Sequence, residues 1–491
     1  MALRTYGLMS ITITLGRAWA AAAACALIAC GTSEPSSPDN PAALPVTERT
    51  SNRPFNTPDW ARTASIYELN VRQFTPEGTF AAMRPHLPRL AEMGVDVVWF
   101  MPIYPISEAR RKGTMGSYYS SSDFNAVNPE FGTLEEFREI VEEIRALGMH
   151  VILDWTANHT GWDHPWITEH PEYYIRRAGT DTIRHAFNPN DTSGGDTDWY
   201  DIAQLDYGNP AVTPAMIEQM RFWLENTGVE GFRCDVAGFV PIDFWYAARP
   251  ALEAVKPIFM LAEWGDEPRH FEAAFDINYG WAFHQLLNRI AEGEEGDPVE
   301  SIWTYQADDT ATFAPYAYHL NFTTNHDENS WNGTEYERMG VHADAMWVIC
   351  ATFEGAPLVY SGQEEPLRRR LAFFEKDDIG FGDYAKADFF AALLELKDVN
   401  RALHNGEVGG LARRLPLSGA DTSGVLAYAR EAGGDRVLVL ANLSDATRTV
   451  ELPTGGATKG LVDVYAGEAV VPSASIVLEP GGYRVLADPV P

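Results

Sequence analysis

The stretch Gly231-Phe-Arg-Cys-Asp-Val-Ala-Gly-Phe239 contains the end of an apolar strand and brings two charged side chains to one face. Side chains alternate along a strand, so Arg233 and Asp235 point to one side and Phe232 and Cys234 point to the other. A guanidinium beside a carboxylate favours the charged form, which predicts that Asp235 stays ionised at neutral pH. Such a carboxylate suits a nucleophile or a cation stabiliser, whereas an ordinary salt bridge is the plainer interpretation.

Apolar runs of strand length alternate with amphipathic helical segments on both sides of this stretch, which predicts a parallel sheet. Eight such runs allow a closed (β/α)8 TIM barrel. A doubly wound open sheet is the alternative, but no glycine-rich phosphate loop follows the first run. The predicted strands are Ile66–Val71, Val95–Met101, Val151–Asp154, Gly231–Asp235, Ile258–Ala262, Ala274–Ile277, Tyr318–Phe322 and Pro357–Tyr360.

Two segments depart from this alternation. A short loop subdomain, at about 160–206, is inserted after the third strand and is rich in Trp, Pro, His, Asp and Gly. Beyond His404, alternating strands with Gly-rich turns predict a C-terminal antiparallel β-sandwich. The predicted organisation is a signal peptide at 1–29, a Pro/Ser-rich tether at 30–58, a catalytic barrel at 59–403 and a β domain at 404–491.

The N-terminal segment has the pattern of an export signal. Its apolar run after Arg17 is shorter than the about 20 residues that a membrane-spanning helix needs. The run ends in Leu27-Ile-Ala-Cys30, which resembles a bacterial lipobox and predicts lipidation of Cys30. We therefore expect a lipoprotein of the cell envelope, held at a membrane by this lipid alone. An ordinary secretory signal and a transmembrane anchor are the alternatives.

The composition excludes some partners. The chain has 491 residues and a formal net charge of −32, so its surface repels phosphate backbones and nucleic acid is not an expected partner. A neutral substrate is compatible with this charge. Cys234 and Cys350 lie in apolar surroundings and are predicted to be buried free thiols. The sequence leaves the oligomeric state open.

Polar residues cluster at the ends of the predicted strands, where a barrel of this kind has its active site. They are Asp154, Asn158 and His159, then Arg233 and Asp235, then Glu263 and Trp264, and last His326 and Asp327. Three carboxylates there fit glycoside hydrolysis. Asp235 is the predicted nucleophile, and Glu263 is the predicted general acid because its apolar surroundings should raise its pKa. Asp327 would share the positive charge that develops on the sugar.

These residues resemble glycoside hydrolase family 13, the α-amylase family. Four segments match its motifs in order and spacing, namely Asp154–His159, Gly231–Asp235, Glu263 and Asn325–Asp327, within a likeness that covers roughly residues 60–400. The resemblance implies retaining chemistry on α-glucosidic bonds of starch or maltooligosaccharides, with a covalent glycosyl-enzyme on Asp235. The two reacting carboxyls should then lie roughly 5–5.5 Å apart.

The resemblance also implies which side chains hold the sugar. Tyr119 would stack on the unit on the non-reducing side of the cleaved bond, and Arg233, His159 and His326 would contact the same unit. Asp154 and Trp264 complete the predicted substrate-binding set, Trp264 as a face on which a pyranose can stack.

The sequence departs from the family pattern on the acceptor side. Three and four residues after the nucleophile, many α-amylases have a Lys-His pair, whereas this chain has Gly238 and Phe239. Asn158 matches one calcium ligand of the family, but no partner aspartate can be assigned, so Ca2+ is a possible structural ion only. The chemistry itself requires no cofactor.

Three classes of function follow. An α-amylase-type hydrolase is the first. The second is a cyclomaltodextrinase, neopullulanase, α-glucosidase or transglycosylase on the same scaffold. The third is a non-catalytic, glucan-binding surface lipoprotein, against which the joint presence of Asp235, Glu263 and Asp327 speaks.

Overall fold

The computed structural model describes residues 55–187, 199–452, 458–470 and 475–491. The predicted signal peptide, Cys30 and most of the tether lie outside these residues. The described residues belong to one compact unit, 47–491. None of their helices combines the length and the hydrophobicity that crossing a bilayer requires.

The strands of the described chain are, in order, β1 (Ile66–Leu69), β2 (Val97–Phe100), β3 (His150–Trp155), β4 (His159–Gly161), β5 (Ile202–Gln204), β6 (Gly231–Cys234), β7 (Phe259–Ala262), β8 (Ile277–Tyr279), β9 (His319–Asn321), β10 (Ala356–Tyr360), β11 (Arg413–Arg414), β12 (Ser418–Asp421), β13 (Val425–Ala432), β14 (Asp435–Asn442), β15 (Arg448–Glu451), β16 (Val462–Asp463), β17 (Ser475–Leu478) and β18 (Tyr483–Asp488).

The α-helices are α1 (Val71–Phe74), α2 (Phe80–Met83), α3 (Leu87–Glu92), α4 (Leu134–Ala146), α5 (Trp166–Glu169), α6 (Val212–Thr227), α7 (Ile242–Glu253), α8 (His270–Ala273), α9 (Trp281–Ala291), α10 (Pro298–Thr312), α11 (Glu335–Met339), α12 (Ala343–Thr352) and α13 (Ala387–Val399). A π-helical turn, Glu328–Asn332, follows the seventh barrel strand.

Eight parallel strands close into a barrel in the order β1-β10-β9-β8-β7-β6-β3-β2. Each of the eight predicted strands overlaps one of them, so the predicted TIM barrel is confirmed and the open sheet is wrong. The sixth strand was placed too early, because the predicted range Ala274–Ile277 shares only Ile277 with β8. The alternation predicted for β6 also holds. Phe232 and Cys234 pack outward among the helices, while Arg233 faces the interior, where it contacts Asp154 of the neighbouring strand.

The barrel interior is an apolar cluster with polar residues at one end. Ile66, Val97, Ile152, Leu261 and Leu358 belong to that cluster, which lies below the carboxyl ends of the strands. The register pairs Asp154 with Arg233 and Arg233 with Leu261, so that the inward positions of three adjacent strands lie at one level. The charged side chains therefore lie on top of this apolar cluster, at the carboxyl ends of the strands.

The insert and the C-terminal part have their own sheets. In the insert, β4 and β5 form a small antiparallel sheet that the sequence pattern does not predict. After α13, antiparallel sheets of five strands (β11-β13-β14-β18-β16) and three strands (β12-β15-β17) enclose a core that includes Leu438, Leu440, Val450 and Leu478. The predicted β-sandwich is therefore confirmed.

The two cysteines of the described chain are free and buried, as predicted. Cys234 is the last residue of β6, and its side chain packs outward among the helices. Cys350 lies in α12. Burial raises the pKa of the Cys234 thiol well above its ordinary value. Both side chains therefore serve as small apolar groups of the core.

Candidate active site

Arg233 is the centre of the polar end of the barrel. Its side chain is fully buried, and Nη1 lies 2.9 Å from Asp154 Oδ1 and 3.1 Å from Asp235 Oδ1. Its other terminal nitrogen, Nη2, lies 2.8 Å from Glu263 Oε1. Nε donates to Tyr279 Oη at 3.2 Å. One guanidinium thus brings the predicted nucleophile and the predicted acid to the same place.

The turn after Asp235 holds Glu263 from the other side. Val236 has φ 38°, a left-handed conformation that is rare and strained for a β-branched residue. In this conformation its N–H donates to Glu263 Oε2 at 2.8 Å. The glutamate therefore contacts a backbone donor next to the predicted nucleophile as well as the guanidinium.

The two reacting carboxyls differ in their affinity for a proton. Burial raises the pKa of Asp235 to about 6, since the nearby Arg233 offsets only part of the effect. Burial, together with the negative charges of Asp235 and Asp327, raises the pKa of Glu263 to about 8. At pH 7 the favoured state has Asp235 ionised and Glu263 protonated. The expected ionisation of Asp235 holds, although its pKa lies above the ordinary range and not below it.

Asp154 supports the site from beneath. It is completely buried and accepts hydrogen bonds from Trp99 Nε1 at 3.2 Å and from Tyr119 Oη at 3.0 Å, in addition to its ion pair with Arg233. Burial raises its pKa to about 6, because Arg233 and His326 compensate only in part. With these three donors around it, the carboxylate positions Arg233 and Tyr119, and its predicted contact with substrate stays a prediction.

His326 belongs to a hydrogen-bonded chain across the barrel. Its Nδ1 donates to Glu68 of β1, and its Nε2 lies 2.8 Å from Tyr119 Oη and 3.5 Å from Asp327 Oδ2. Burial lowers the pKa of His326, but the carboxylates of Asp327 and Glu68 outweigh burial and raise it to about 9. The imidazole is therefore a cation at neutral pH and fixes the tyrosine.

His159 is held differently. Burial lowers its pKa to about 4, so the ring is neutral. Its Nε2–H donates to the Tyr119 carbonyl at 3.1 Å, and its Nδ1 lies 3.3 Å from the Asn158 amide. Both ring nitrogens thus contact protein, and the role of His159 in holding the sugar stays a prediction.

Asp327 and a set of aromatic rings form the rim. Asp327 is 37% exposed at its side chain and accepts a hydrogen bond from Trp331 Nε1 at 3.2 Å. The Tyr119 ring lies nearly parallel to the Phe373 ring, with the centroids 6.3 Å apart. Trp264, on the opposite side, is half-buried. The predicted site residues therefore meet at one end of the barrel.

Gly238 and Trp264 explain the departure on the acceptor side. The Trp264 ring lies directly against Gly238, where a Cβ atom would be 2.1 Å from the ring carbon Cε2. Phe239 meets the same ring edge-on at a centroid distance of 5.0 Å. Any side chain at 238 would displace the tryptophan, so an aromatic surface lies where many α-amylases have a Lys-His pair.

The surroundings of Asn158 do not fit calcium. The Gln204 amide nitrogen donates to Asn158 Oδ1 at 2.8 Å and to the Asn158 carbonyl at 3.0 Å. A side-chain NH2 group thus occupies the position from which a cation would approach these oxygens. Within 55–187, 199–452 and the two shorter described ranges, no cluster of acidic, His or Cys side chains could hold a metal ion.

Several residues of the site are absent from the sequence-based predictions. Glu68 accepts a hydrogen bond from His326. Tyr279 accepts one from Arg233, and Trp99 donates one to Asp154. Phe373 and Trp331 line the rim. Glu68 is signalled only as a carboxylate within a buried strand. Phe373 and Trp331 follow no periodic pattern, so the sequence offers no signal for them.

Known proteins match this architecture and this set of residues. Residues 53–377, more than half of the chain, match the family described as alpha amylase, catalytic domain. Residues 418–485 match the maltogenic amylase C-terminal domain. The structure of an α-amylase from Lactobacillus plantarum superposes with a TM-score of 0.74 at 26% identity, covering 87% of this chain and 99% of that one.

Curated relatives include enzymes of two kinds. The α-amylase MalA of Haloarcula japonica is 26% identical over 85% of this chain, and the match covers 60% of MalA. The α-1,4-glucan:maltose-1-phosphate maltosyltransferase 2 of Streptomyces coelicolor is 26% identical over 78% of this chain and 59% of that protein. The chain thus spans about 60% of the length of these relatives. The chain belongs to the α-amylase family.

Proposed function

We propose that the protein hydrolyses α-1,4-glucosidic bonds in starch or maltooligosaccharides with retention of configuration. The observation that carries this proposal is the pair of carboxyls on one guanidinium, which favours an ionised Asp235 and a protonated Glu263 at neutral pH. Asp235 attacks the anomeric carbon, and Glu263 gives its proton to the leaving oxygen. Glu263 then removes a proton from the water that releases the sugar.

Other residues assist this cycle. Asp327, at the exposed rim, is placed to share the positive charge on the sugar ring, and cationic His326 holds Tyr119. Arg233 keeps both reacting carboxyls in position and balances negative charge before attack. No step requires a cofactor, in keeping with the family.

The test is to incubate the purified protein with starch, cyclodextrin, pullulan and maltoheptaose and to size the products. The Asp235→Asn and Glu263→Gln variants should each lose activity by about 100-fold or more while staying folded. Asp266→Asn, which changes an exposed carboxylate near Glu263, is the matched control and should keep activity. Unchanged turnover in either active-site variant contradicts the assigned roles.

Transglycosylation is the second candidate. The aromatic surface of Trp264 and Phe239 beside Gly238 supports it, because a sugar acceptor stacks on such rings more readily than water is bound there. The maltosyltransferase relative points the same way. Products longer than the maltoheptaose supplied would identify this activity, and shorter products alone would identify hydrolysis.

We also propose that the protein is exported and anchored by a lipid on Cys30. The lipobox-like Leu27-Ile-Ala-Cys30 and the Pro/Ser-rich tether after it support this proposal. Expressed in a bacterial host, the chain should incorporate labelled palmitate and sediment with membranes, while Cys30→Ser should do neither. A Cys30→Ser protein that still sediments with membranes contradicts the proposal.

A further inference from the structure

Two loops at the carboxyl end of the barrel bond to each other above the site. The first, residues 101–121, follows β2, and the second, residues 361–386, follows β10. The Met115 N–H donates to the Phe374 carbonyl at 3.0 Å, and the Thr114 N–H donates to Glu375 Oε1 at 3.1 Å. The Thr114 hydroxyl donates to the other oxygen of Glu375. We call residues 113–115 with 373–375 the loop bridge.

The loop bridge is closely packed. Gly113, with φ 60°, lies so near Phe374 that a Cβ atom at Gly113 would be 2.5 Å from the Phe374 Cβ. A side chain at 113 is therefore excluded both by conformation and by space. The Lys112 ammonium lies 5.7 Å from the centre of the Phe374 ring and 3.2 Å from Asp201 Oδ1, which ties the bridge to the insert.

One short helix anchors both loops from below. In α1, the buried Arg72 donates from Nη1 to the Gly116 carbonyl at 3.0 Å and from Nη2 to the Met115 carbonyl at 3.2 Å. The next residue, Gln73, donates to the Ala372 carbonyl of the second loop at 3.0 Å. Because adjacent side chains of one helix hold the two loops, the hydrogen bonds between the loops are preorganised.

The loop bridge lies on the side of the site away from the leaving group. Phe373 begins it and packs parallel to Tyr119, whose hydroxyl contacts His326 at 2.8 Å. Trp331 packs on Phe373 at a centroid distance of 5.2 Å and reaches Asp327.

The general acid lies across from this wall. Glu263 follows β7 and Asp235 follows β6, on the other side of the barrel from β2 and β10. Trp264 and Phe239 are half-buried at that rim. The order across the site is therefore acceptor surface, reacting carboxyls, Tyr119 with His326, and the loop bridge.

We propose that the loop bridge closes the non-reducing side of the cleft, so that the enzyme acts on the free non-reducing ends of linear α-glucans and not within the chain. The proposal rests on the proposed function, since it takes the leaving group to depart beside Glu263. A glucan that extended beyond Tyr119 on the non-reducing side would have to pass through the backbone hydrogen bond between Met115 and Phe374. A chain end needs no such passage.

The test compares two chromogenic substrates that differ only at the non-reducing end. p-Nitrophenyl α-maltoheptaoside has a free end, and its 4,6-O-ethylidene derivative has that end blocked. We expect release of shortened p-nitrophenyl glycosides from the free substrate and at least 100-fold lower kcat/KM for the blocked one. Equal values overturn the proposal while leaving the proposed function intact. Cleavage of neither substrate overturns both.

Variants of the loop bridge test the cause. Phe373→Ala and Glu375→Ala remove one ring and one side-chain link of the bridge, and each should raise the ratio of blocked to free cleavage at least tenfold. Asp383→Ala, an exposed carboxylate of the same loop, is the control and should leave the ratio unchanged. The ratio within one preparation does not depend on the folded fraction. An unchanged ratio in both bridge variants contradicts the role of the bridge.

Discussion

At the residue scale, the chemistry of the site depends on one guanidinium that contacts three carboxyl groups. Arg233 contacts Asp154, Asp235 and Glu263 within 3.1 Å, and a single positive charge cannot balance three buried negative ones. The proton shared within this group resides preferentially on Glu263, whose pKa is raised to about 8 by burial. Such a separation of pKa values is what acid–nucleophile chemistry requires.

The first prediction concerns pH. Because activity needs Asp235 ionised and Glu263 protonated, kcat/KM should fall below about pH 6 and above about pH 8. The two apparent pKa values belong to the coupled pair. The measurement is kcat/KM on maltoheptaose from pH 4 to pH 10.

The control removes the acid from the reaction. Fluoride leaves without protonation, so Glu263→Gln should still release fluoride from α-maltosyl fluoride in the first turnover. The rate of this first fluoride release should still fall at acidic pH and should no longer fall at alkaline pH. An alkaline limb that persists near pH 8 in this variant would assign it to another group.

The second prediction concerns stability. A folded-state pKa of about 6 for Asp235, above the unfolded value, means that its ionisation opposes folding at neutral pH. Asp235→Asn should therefore raise the free energy of unfolding at pH 7 by up to about 3 kcal/mol. The gain should shrink as pH falls through 6 and vanish near 4. Thermal unfolding at pH 8 and pH 4.5 checks this, and a lower Tm than wild type at pH 8 contradicts it.

The position and role of a site residue could be predicted where a local sequence pattern determines them. The common face of Arg233 and Asp235 follows from strand alternation, and the raised pKa of Glu263 follows from its apolar surroundings. The role of Glu68 could not be predicted, because its partner His326 is 258 residues away in the sequence. The pattern of β1 predicts only a buried strand. The depth at which Asp235 is buried could not be predicted from the sequence, so the rise of its pKa to about 6 could not be predicted either.

At the element scale, the turn after β6 stores strain next to the chemistry. Val236 occupies a left-handed conformation and directs its N–H at Glu263. A β-branched residue there costs of order 1–3 kcal/mol, and the surrounding packing must maintain it.

The third prediction follows from this strain. Val236→Gly should keep or raise Tm and keep activity, because glycine adopts the left-handed conformation freely. Val341→Gly is the matched control, an exposed valine without positive φ, and should lower Tm. Thermal unfolding of both variants decides it. A larger loss of Tm at 236 than at 341 contradicts the strain.

Elements were predictable where they belong to the repeated alternation of strands and helices or carry a local capping motif. The barrel strands and the capping box that begins α4, in which Thr133 and Glu136 bond each other's backbone, follow from local pattern. The β4–β5 sheet of the insert could not be predicted, since its strands lie outside the strand–helix alternation and pair across about 40 residues of irregular sequence. The two loops of the bridge lack periodicity altogether.

At the scale of the whole molecule, a buried arginine joins the C-terminal sheets to the barrel. Arg430 of β13 donates to the carbonyls of Phe353 at 2.6 Å and Thr352 at 3.1 Å, both at the end of α12, and to Gly410 at 2.6 Å. Beside it, the hydroxyls of Tyr428 and Thr352 are 2.6 Å apart. The β-sandwich therefore supports the helix that precedes the eighth barrel strand.

The fourth prediction tests this support. Arg430→Ala leaves these carbonyls buried without donors and should lower the free energy of unfolding by about 3 kcal/mol or more. The activity of the molecules that stay folded should be unchanged, because Arg430 is remote from Arg233. Arg484→Ala, on the exposed side of β18, is the control and should change Tm little. Equal losses of Tm in the two variants contradict the account.

The central claim is that Asp235 forms a covalent bond to the sugar. The most direct measurement is mass spectrometry of peptides from Glu263→Gln treated with α-maltosyl fluoride, since loss of the acid–base slows release of the bound sugar. The account predicts one added maltosyl unit, located on Asp235. Fluoride release without any adduct, or an adduct on another carboxylate such as Asp327, would contradict it.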